Sequence, residues 1–417
     1  MSETTLQADE TAEPAIVGRG LSKVYGLGRR QAEKALAAQD PRAAAAAAGG
    51  YLGAHEIDFE IAKGEMFVVM GLSGSGKSTV LRMINRLNEP SAGELLIDGE
   101  DITKVSDQRL RELRNNGIGM VFQHFSLFPH RTVRENAAYG LKVRGIAKPE
   151  RLERAAAALE RVGLGGRGDK LPHELSGGMR QRVGLARALA VDPPILLMDE
   201  PFSALDPLIR RDMQDLLVEL QAQDQRTTVF VTHDLNEAMR IGDRVMVMRE
   251  GRVIQLAPGP EIVAHPADDY VSEFVSDVDR ARVLSAADLI RPARLVLPED
   301  ITPHDALRRL GENEVTGAFV TGADDRLLGV VTDDRLVNLT RRGAKSVHGA
   351  LGEDYHKVKE DDVIGDFMHL AGRQVVPVTV LDENGRLRGV VPRGAILSAL
   401  STVNDTVDDE AAEVAHA

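Results

Sequence analysis

The sequence predicts an α/β domain with a mainly parallel sheet, followed by a smaller α+β module. Apolar runs at 66–70, 195–198 and 228–232 alternate with helical periodicity, and a Gly/Ser-rich loop directly follows the first run. An internal repeat predicts the second module, because residues 301–331 share their pattern with residues 358–391.

Each copy of the repeat has an acidic lead, a helix, two short strands, an acidic turn and a closing Gly-Val-Val. The runs RLLGVV (326–331) and RLRGVV (386–391) differ at one residue. Units of roughly 50–60 residues are too small to stand alone as an array, so we expect the two copies to pack on each other.

Composition excludes several classes of protein. The chain has 417 residues, enough for two or three domains, and a net charge of −13 that disfavours nucleic acid as a partner. It has no cysteine, which excludes disulfides and thiolate metal sites. The acidic N-terminus does not resemble a secretion signal, and no apolar run approaches the ~20 residues that cross a bilayer.

The domain boundaries follow from these patterns. We expect a helical, Ala-rich insertion over about 27–54, with a helix at 29–39 broken by Pro41; a surface insertion without a role is the alternative. A hairpin is predicted over 245–257, turning near Glu250–Gly251. The full division is a disordered lead (1–14), the α/β domain (15–278), the tandem module (283–402, with halves at about 283–342 and 347–402) and an acidic tail (403–417).

The loop GLSGSGKST (71–79) lies between a predicted strand and a predicted helix, which is the context of a phosphate-binding P-loop. Glycines let backbone N–H groups surround a phosphate, and the helix N-terminus favours negative charge. Lys77 can reach the β- and γ-phosphates, and the Ser78 hydroxyl can bind Mg²⁺. The candidate ATP-binding residues of the loop are Gly71, Ser73, Gly74, Ser75, Gly76, Lys77, Ser78 and Thr79.

The run ILLMDEP (195–201) supplies the second half of a nucleotide-hydrolysing site. Asp199 ends a buried strand and can hold Mg²⁺, and Glu200 can polarise an attacking water. A surface Asp-Glu pair that closes a strand is the structural alternative. Together the two motifs predict a nucleotide and Mg²⁺ as the bound groups.

With LSGGMRQR (175–182) between these motifs, the chain closely resembles the ATP-binding subunits of ABC transporters. The resemblance implies an ABC-type ATPase domain over about residues 15–275. It also implies a head-to-tail dimer with a second copy, in which the signature loop caps ATP bound by the partner. The residues implied to act in trans are Ser176, Gly177, Gly178 and Asp206, the last from SALD (203–206).

The resemblance assigns further residues one by one. Glu200 and His233, from VTHD, are implied to be catalytic. Gln123, from VFQHF, is implied to contact Mg²⁺ together with Ser78 and Asp199. Tyr25 is implied to stack on adenine, with a core tyrosine as the alternative. The residues after Gln123 (124–136) are implied to dock the permease, or else form a structural loop.

Three features narrow the resemblance to ATP-binding subunits of glycine betaine/proline importers: the insertion, the run after the P-loop strand, and the repeat, which resembles a tandem CBS pair. This implies a separate membrane permease, an extracytoplasmic solute-binding protein, and a place at the cytoplasmic face of the membrane. It also implies regulation by ionic strength, for which the basic candidates are Arg308, Arg309, Arg341, Arg342 and Lys345; a solvated helix face is the alternative.

The CBS pair departs from the nucleotide-binding pattern of that family. Arg335 stands where an Asp would follow Thr332, and Pro392 and Ala395 occupy the matching places in the second copy. We therefore predict no nucleotide there.

Three other functions stay open. One is import of another compatible solute, such as choline or carnitine. The others are a soluble ABC ATPase acting on ribosomes or DNA, and a regulatory nucleotide-binding protein with an idle Glu200.

Overall fold

A computed structural model describes residues 14–123, 127–276, 278–372 and 376–400. Of the predicted lead, all but Pro14 lies outside the described residues, and so does the predicted acidic tail. The chain divides into two units, Met1–Val275 and Ser276–Ala417.

The strands of the first unit form two sheets. The bounds are β1 (Ile16–Tyr25), β2 (Tyr51–Ile61), β3 (Met66–Met70), β4 (Ala92–Ile97), β5 (Glu100–Asp101), β6 (Ile118–Val121), β7 (Ile195–Asp199), β8 (Thr227–Thr232), β9 (Arg244–Arg249) and β10 (Arg252–Ala257). One sheet has the order β2-β1-β4-β5 and is antiparallel; the other has the order β10-β9-β3-β8-β7-β6. In the second sheet β9, β3, β8, β7 and β6 are parallel, as predicted, and β10 returns antiparallel to β9.

Helices connect the strands of the first unit. Their bounds are α1 (Arg29–Leu36), α2 (Pro41–Ala47), α3 (Lys77–Ile84), α4 (Asp107–Asn116), α5 (Val133–Ala137), α6 (Tyr139–Val143), α7 (Lys148–Arg161), α8 (Gly177–Leu189), α9 (Pro207–Asp224), α10 (Leu235–Ile241), α11 (Gly259–Ala264) and α12 (Asp269–Val275), with a 3-10 turn at Pro172–Glu174.

The core of this unit explains the parallel arrangement. All five residues of β3 are buried, as expected for a strand covered on both faces. Phe67 and Val69 belong to a cluster that also takes residues from β1, β2, β4, β7, β8, β9 and α3. The carboxyl ends of β3, β7 and β8 therefore meet at one edge, since Met70 pairs with Thr232 and Asp199 with Val231.

The insertion differs from the predicted single helix. It contains α1 and α2, and Pro41 begins the second helix rather than only ending the first, because proline suits the first turn and Asp40 caps it by accepting from the Ala43 N–H. The strand after it begins at Tyr51, not after residue 54, because Tyr51 pairs directly with Tyr25.

An ion cluster lies at the opposite, amino end of the parallel sheet. Asp224, at the end of α9, accepts hydrogen bonds from Arg161 and Arg226. Burial alone would raise the pKa of Asp224, but the hydrogen bonds and charges of the two arginines outweigh it and lower that pKa.

The second unit contains two small three-stranded sheets, one for each copy of the repeat. Its elements are α13 (Arg280–Val283), α14 (Ala286–Leu289), β11 (Val296–Pro298), α15 (Pro303–Glu312), β12 (Gly317–Thr321), β13 (Leu327–Thr332), α16 (Asp333–Arg341), β14 (Lys357–Val358), α17 (Ile364–Phe367), β15 (Val378–Leu381), β16 (Leu387–Val391) and α18 (Arg393–Leu400), with 3-10 turns at Val347–Ala350 and Met368–Leu370.

The two copies pack on each other, as predicted. Leu327 N–H donates to the Gly385 carbonyl (3.1 Å) and Leu387 N–H to the Asp325 carbonyl (3.1 Å). The copies also exchange their leading segments: residue 291 pairs with β16 of the second copy, and residue 352 pairs with β13 of the first. The module therefore folds as one body.

In the residues that the structure describes, none of the helices combines the length and the apolar character needed to cross a membrane.

Candidate active site

The loop between β3 and α3 folds around its own lysine. The Lys77 ammonium is buried and donates to the carbonyls of Gly71 (2.8 Å) and Leu72 (3.0 Å). Gly71 has φ +145°, and a Cβ there would lie 2.2 Å from the Met248 carbonyl oxygen, so only glycine fits. The loop thus holds a fixed cation at the start of a helix.

The loop also has an unsatisfied polar group. The Ser75 hydroxyl is buried and has no hydrogen-bond partner within the described part of the chain. Ser73 and Gly74 are exposed at the tip of the loop, next to the N-terminus of α3. A free hydroxyl, exposed loop backbone and a helix N-terminus suit a phosphate group.

Asp199 faces this loop from the end of β7. One of its carboxylate oxygens accepts from the Ser78 hydroxyl (2.7 Å) and the other from the Arg82 guanidinium (3.1 Å). Ser78 and Arg82 are four residues apart on α3 and so share one helix face. The hydroxyl and carboxylate oxygens are the kind of ligand that Mg²⁺ takes, so the residues present fit this ion.

Glu200 leaves β7 in the left-handed region, with φ +45°, an uncommon conformation for this residue type. Its backbone N–H donates to the Val231 carbonyl (3.1 Å), which fixes it beside the end of β8. Its Oε2 lies 3.1 Å from Nδ1 of His233, and its Oε1 lies 3.9 Å from Nζ of Lys77. The structure therefore brings Lys77, Glu200 and His233 together.

Burial and the charges at this edge of the sheet shift the pKa of Lys77. Burial lowers the pKa of Lys77, and the carboxylates of Glu200 and Asp199 partly oppose that shift. A buried cation that donates to neutral carbonyls can exchange them for the oxygens of an anionic ligand.

Gln123 is linked to Glu200 through one intervening side chain. Its side-chain amide donates to the Ser203 hydroxyl (3.3 Å), and that hydroxyl donates to the Glu200 carbonyl (3.0 Å). Gln123 thus connects to the site through the segment after Glu200.

Tyr25 contacts α3, the helix that begins within the P-loop motif. Its hydroxyl is 3.1 Å from the Thr79 hydroxyl and accepts from the Asn88 side-chain amide (2.7 Å). A Cβ on Gly53 would lie 2.6 Å from the Tyr25 ring, so β2 packs tightly against it. Tyr25 remains half-buried.

The residues implied to act in trans lie at the N-termini of two helices, α8 and α9. The Ser176 side chain caps α8 by accepting from the Met179 N–H (3.4 Å), and Asp206 caps α9 by accepting from the Ile209 N–H (3.1 Å). Within the described residues, no hydrogen bond joins residues 175–178 to residues 71–79 of the same chain.

Sequence reasoning missed Arg82, Asn88 and Ser203. Only the place of Arg82 beside Ser78 could have been predicted from the sequence, because Arg82 follows Ser78 by four residues on a predicted helix. Asn88 and Ser203 reach their partners through the tertiary fold.

Comparison with known proteins identifies the family of this chain. The ABC transporter family matches residues 54–203. The glycine betaine/carnitine transport ATP-binding protein GbuA of Listeria monocytogenes is 45% identical over 353 residues, covering 85% of this chain and 89% of GbuA. The glycine betaine transport ATP-binding protein OpuAA of Bacillus subtilis is 43% identical over 394 residues, covering 94% and 93%. The chain belongs to the ABC transporter ATP-binding family.

Further matches extend this assignment. The glycine betaine/proline betaine transport system ATP-binding protein ProV of Escherichia coli is 47% identical, covering 84% of this chain and 88% of ProV. The CBS domain family matches residues 286–341 and 351–402.

Among solved structures, the ABC cassette MJ0796, described as dimeric, is 34% identical with a TM-score of 0.50, covering 58% of this chain and 98% of that one. CbiO1 of Clostridium perfringens, from the cbiONQ transporter complex, is 30% identical with a TM-score of 0.52, covering 61% and 92%. This ABC subunit therefore has the fold of a nucleotide-binding ATPase coupled to transport, joined to a CBS pair.

Proposed function

We propose that this chain hydrolyses ATP to power uptake of glycine betaine and proline-type osmoprotectants through a separate membrane permease. The convergence of Lys77, Asp199, Glu200 and His233 at one sheet edge supports hydrolysis. The solute rests on the relatives, since GbuA, OpuAA and ProV carry glycine betaine in their names at 43–47% identity.

In the proposed mechanism the P-loop binds the ATP phosphates. Lys77 exchanges its loop carbonyls for phosphate oxygens, and the Ser75 hydroxyl gains the partner it lacks. Ser78, Asp199 and Gln123 would hold Mg²⁺, which neutralises charge on the β- and γ-phosphate oxygens when bound. Tyr25 would stack on adenine, at the end of β1 beside Thr79.

Glu200 is the proposed general base. Its carboxylate accepts a proton from the attacking water as the water oxygen bonds to the γ-phosphorus and the bond to ADP breaks, giving ADP and phosphate. His233, 3.1 Å from Glu200, would orient that carboxylate and contact the γ-phosphate. The strained backbone of Glu200 supports this role, because such strain concentrates at functional sites.

A second copy would complete the site. Ser176 and Asp206 are exposed, and both lie at helix N-termini that make no hydrogen bond to their own P-loop within the described residues. Ser176, Gly177 and Gly178 would approach the γ-phosphate bound by the other copy, with Asp206 at the seam.

The permease would dock near α5 and α6. A surface cavity of about 350 Å³ lies there, and exposed Phe122 and Val143 line it. Phe128 and Tyr139 also line it, with ring centres 4.5 Å apart and ring planes tilted by 50°. An apolar cavity of this kind suits a short helix from a membrane subunit.

Of the predicted docking segment, residues 124–126 lie outside the described residues. Docking here would place the chain at the cytoplasmic face of the membrane, with an extracytoplasmic solute-binding protein on the other side.

The CBS pair would regulate transport. Arg308 is already paired with Asp305 (3.2 Å) and Glu312 (3.1 Å), which weakens its candidacy for contacting an anionic surface. Arg335 packs against Gly352 and pairs with Asp354, in the position where the nucleotide-binding pattern has an acid. The position of Arg335 disfavours a nucleotide-based signal, and the pairing of Arg308 leaves Arg341, Arg342 and Lys345 among the remaining candidates for a charge-based one.

Replacing Arg341, Arg342 and Lys345 by Gln tests this regulation in the full transporter. We expect the salt concentration for half-maximal ATPase activity to shift, because the attraction of exposed charges is screened within ~8 Å at physiological salt. The matched control replaces Arg29, Arg30 and Lys34, three exposed basic residues of α1, by Gln. An unchanged salt curve in the triple variant refutes the proposal.

The main experiment measures radiolabelled glycine betaine uptake after a hyperosmotic shift. The host lacks its own betaine transporters and carries this chain with its permease and binding protein. Uptake with the wild type and with Glu219→Gln, an exposed control, but not with Glu200→Gln, supports the proposal. The rival solutes are tested by competition with choline and carnitine, since a choline transport ATP-binding protein is 38% identical. Co-purification with ribosomes or DNA instead of a permease would favour a soluble ABC ATPase.

A further inference from the structure

The insertion between β1 and β2 is built into the first unit. Ala32 and Ala35 of α1 and Ala45 of α2 are buried, and they pack with Val24 and Leu52 of the two flanking strands. Small alanine side chains let both helices approach the strands closely. The insertion is therefore held in a defined position, next to the end of β1 where Tyr25 lies.

One side chain of the insertion reaches a distant part of the chain. The Arg42 guanidinium, on α2, donates to the main-chain carbonyl of Glu250 and lies 3.7 Å from the Glu250 carboxylate. These residues are 208 positions apart in sequence. Glu250 is at the turn between β9 and β10 and has φ +52°, which is uncommon for a residue with a side chain of this size.

The same turn forms a wall of the P-loop. The Gly251 N–H donates to the Ser75 carbonyl (2.9 Å), and the Gly251 carbonyl accepts from the His55 N–H (2.7 Å). Met248, just before the turn, presents its carbonyl to Gly71 at the other end of the loop. A displacement of this turn would therefore move the backbone that surrounds Ser75.

We propose that Arg42 is a positioning residue for nucleotide binding: it holds the 250–251 turn against Ser75 and so keeps the P-loop in its binding shape. This inference rests on the proposed ATP site. A charge-assisted hydrogen bond to a carbonyl is stronger than a neutral one, and here it restrains a turn whose backbone is itself strained. The insertion thereby braces the nucleotide site of its own subunit.

The test compares full-length wild type with Arg42→Ala, Arg42→Lys and Arg30→Ala, an exposed control on α1. A fluorescent ATP analogue reports the Kd. We expect Arg42→Ala to raise the Kd about fivefold, or ~1 kcal/mol, with Arg42→Lys between it and the wild type. In the assembled transporter the KM for ATP should rise by a similar factor while kcat stays within twofold.

Amide hydrogen exchange supplies a local readout. The Gly251 amide should exchange faster in Arg42→Ala, and amides in the centre of β3 and β8 should not change. An unchanged Kd or an unchanged Gly251 amide in Arg42→Ala overturns the inference. Equal weakening by Arg30→Ala also overturns it. If the wild type itself does not bind the analogue, the proposed ATP site fails, and this inference fails with it.

Discussion

Two adjacent glycines in the signature loop should respond differently to the same substitution. A Cβ on Gly178 would lie 2.3 Å from Cγ2 of Ile209, whereas a Cβ on Gly177 would meet no atom within 4 Å. Cγ2 belongs to a β-branched side chain that cannot easily rotate away. Gly178→Ala should therefore push against α9, and Gly177→Ala should cause no clash within the subunit.

The expected magnitudes follow from this geometry. Overpacking costs about 1–3 kcal/mol, and the helix preference of Ala over Gly returns about 1 kcal/mol, so Gly178→Ala should lose up to about 2 kcal/mol of unfolding free energy. Gly177→Ala should be neutral or slightly more stable. Ile209→Ala removes the clashing atoms, so the double variant with Gly178→Ala should show a favourable coupling of about 1 kcal/mol or more.

Urea denaturation followed by circular dichroism gives the unfolding free energies of the wild type, the three single variants and the double variant, and ATPase assays run in parallel. We expect Gly177→Ala to abolish activity without loss of stability, because its Cβ would face the phosphate bound by the second copy. Gly178→Ala should lower activity through its clash with Ile209, and adding Ile209→Ala should restore that activity. Equal loss of stability at both glycines, or no coupling with Ile209, would refute this reasoning.

Three further predictions concern groups outside the signature loop. Tyr25→Phe removes only the hydroxyl that bonds to Thr79 and Asn88, so the Kd for ATP should stay within about twofold, whereas Tyr25→Ala should raise it about tenfold by loss of stacking. Arg82→Ala frees one oxygen of Asp199, and we expect the Mg²⁺ concentration for half-maximal ATPase activity to change about threefold or more in a Mg²⁺ titration. Asp224→Asn should lower the unfolding free energy by about 1–3 kcal/mol at pH 7 in urea denaturation. Because the folded-state pKa of Asp224 is depressed, that difference should persist down to about pH 5 and shrink as the pH falls below about 4.

One result would contradict each of these predictions. A tenfold higher Kd for ATP in Tyr25→Phe would mean that the hydroxyl of Tyr25, not its ring, makes the contact with ATP. An unchanged Mg²⁺ titration would remove Arg82 from the metal site. A stability difference at Asp224 that stays constant through pH 3 would show that its charge is not involved.

Much of the fold was predictable because it depends on local patterns. The strand at 66–70 has the predicted bounds, and the hairpin over 245–257 turns at Glu250–Gly251 as expected. Continuous apolar runs flanked by glycine identify buried parallel strands without knowledge of their neighbours. The insertion was less predictable, because the start of β2 at Tyr51 depends on its pairing with Tyr25 across the hairpin.

The sequence by itself determined which residue types could bind phosphate and Mg²⁺, since spacing within one loop and one strand end is a local property. Only the tertiary structure decided that Ser78 and Arg82 share Asp199, and that Glu200 lies between Lys77 and His233. It alone decided that Arg42 reaches the turn beside the P-loop, because contacts between residues far apart in the chain arise from how sheets and helices pack, and no local pattern encodes them.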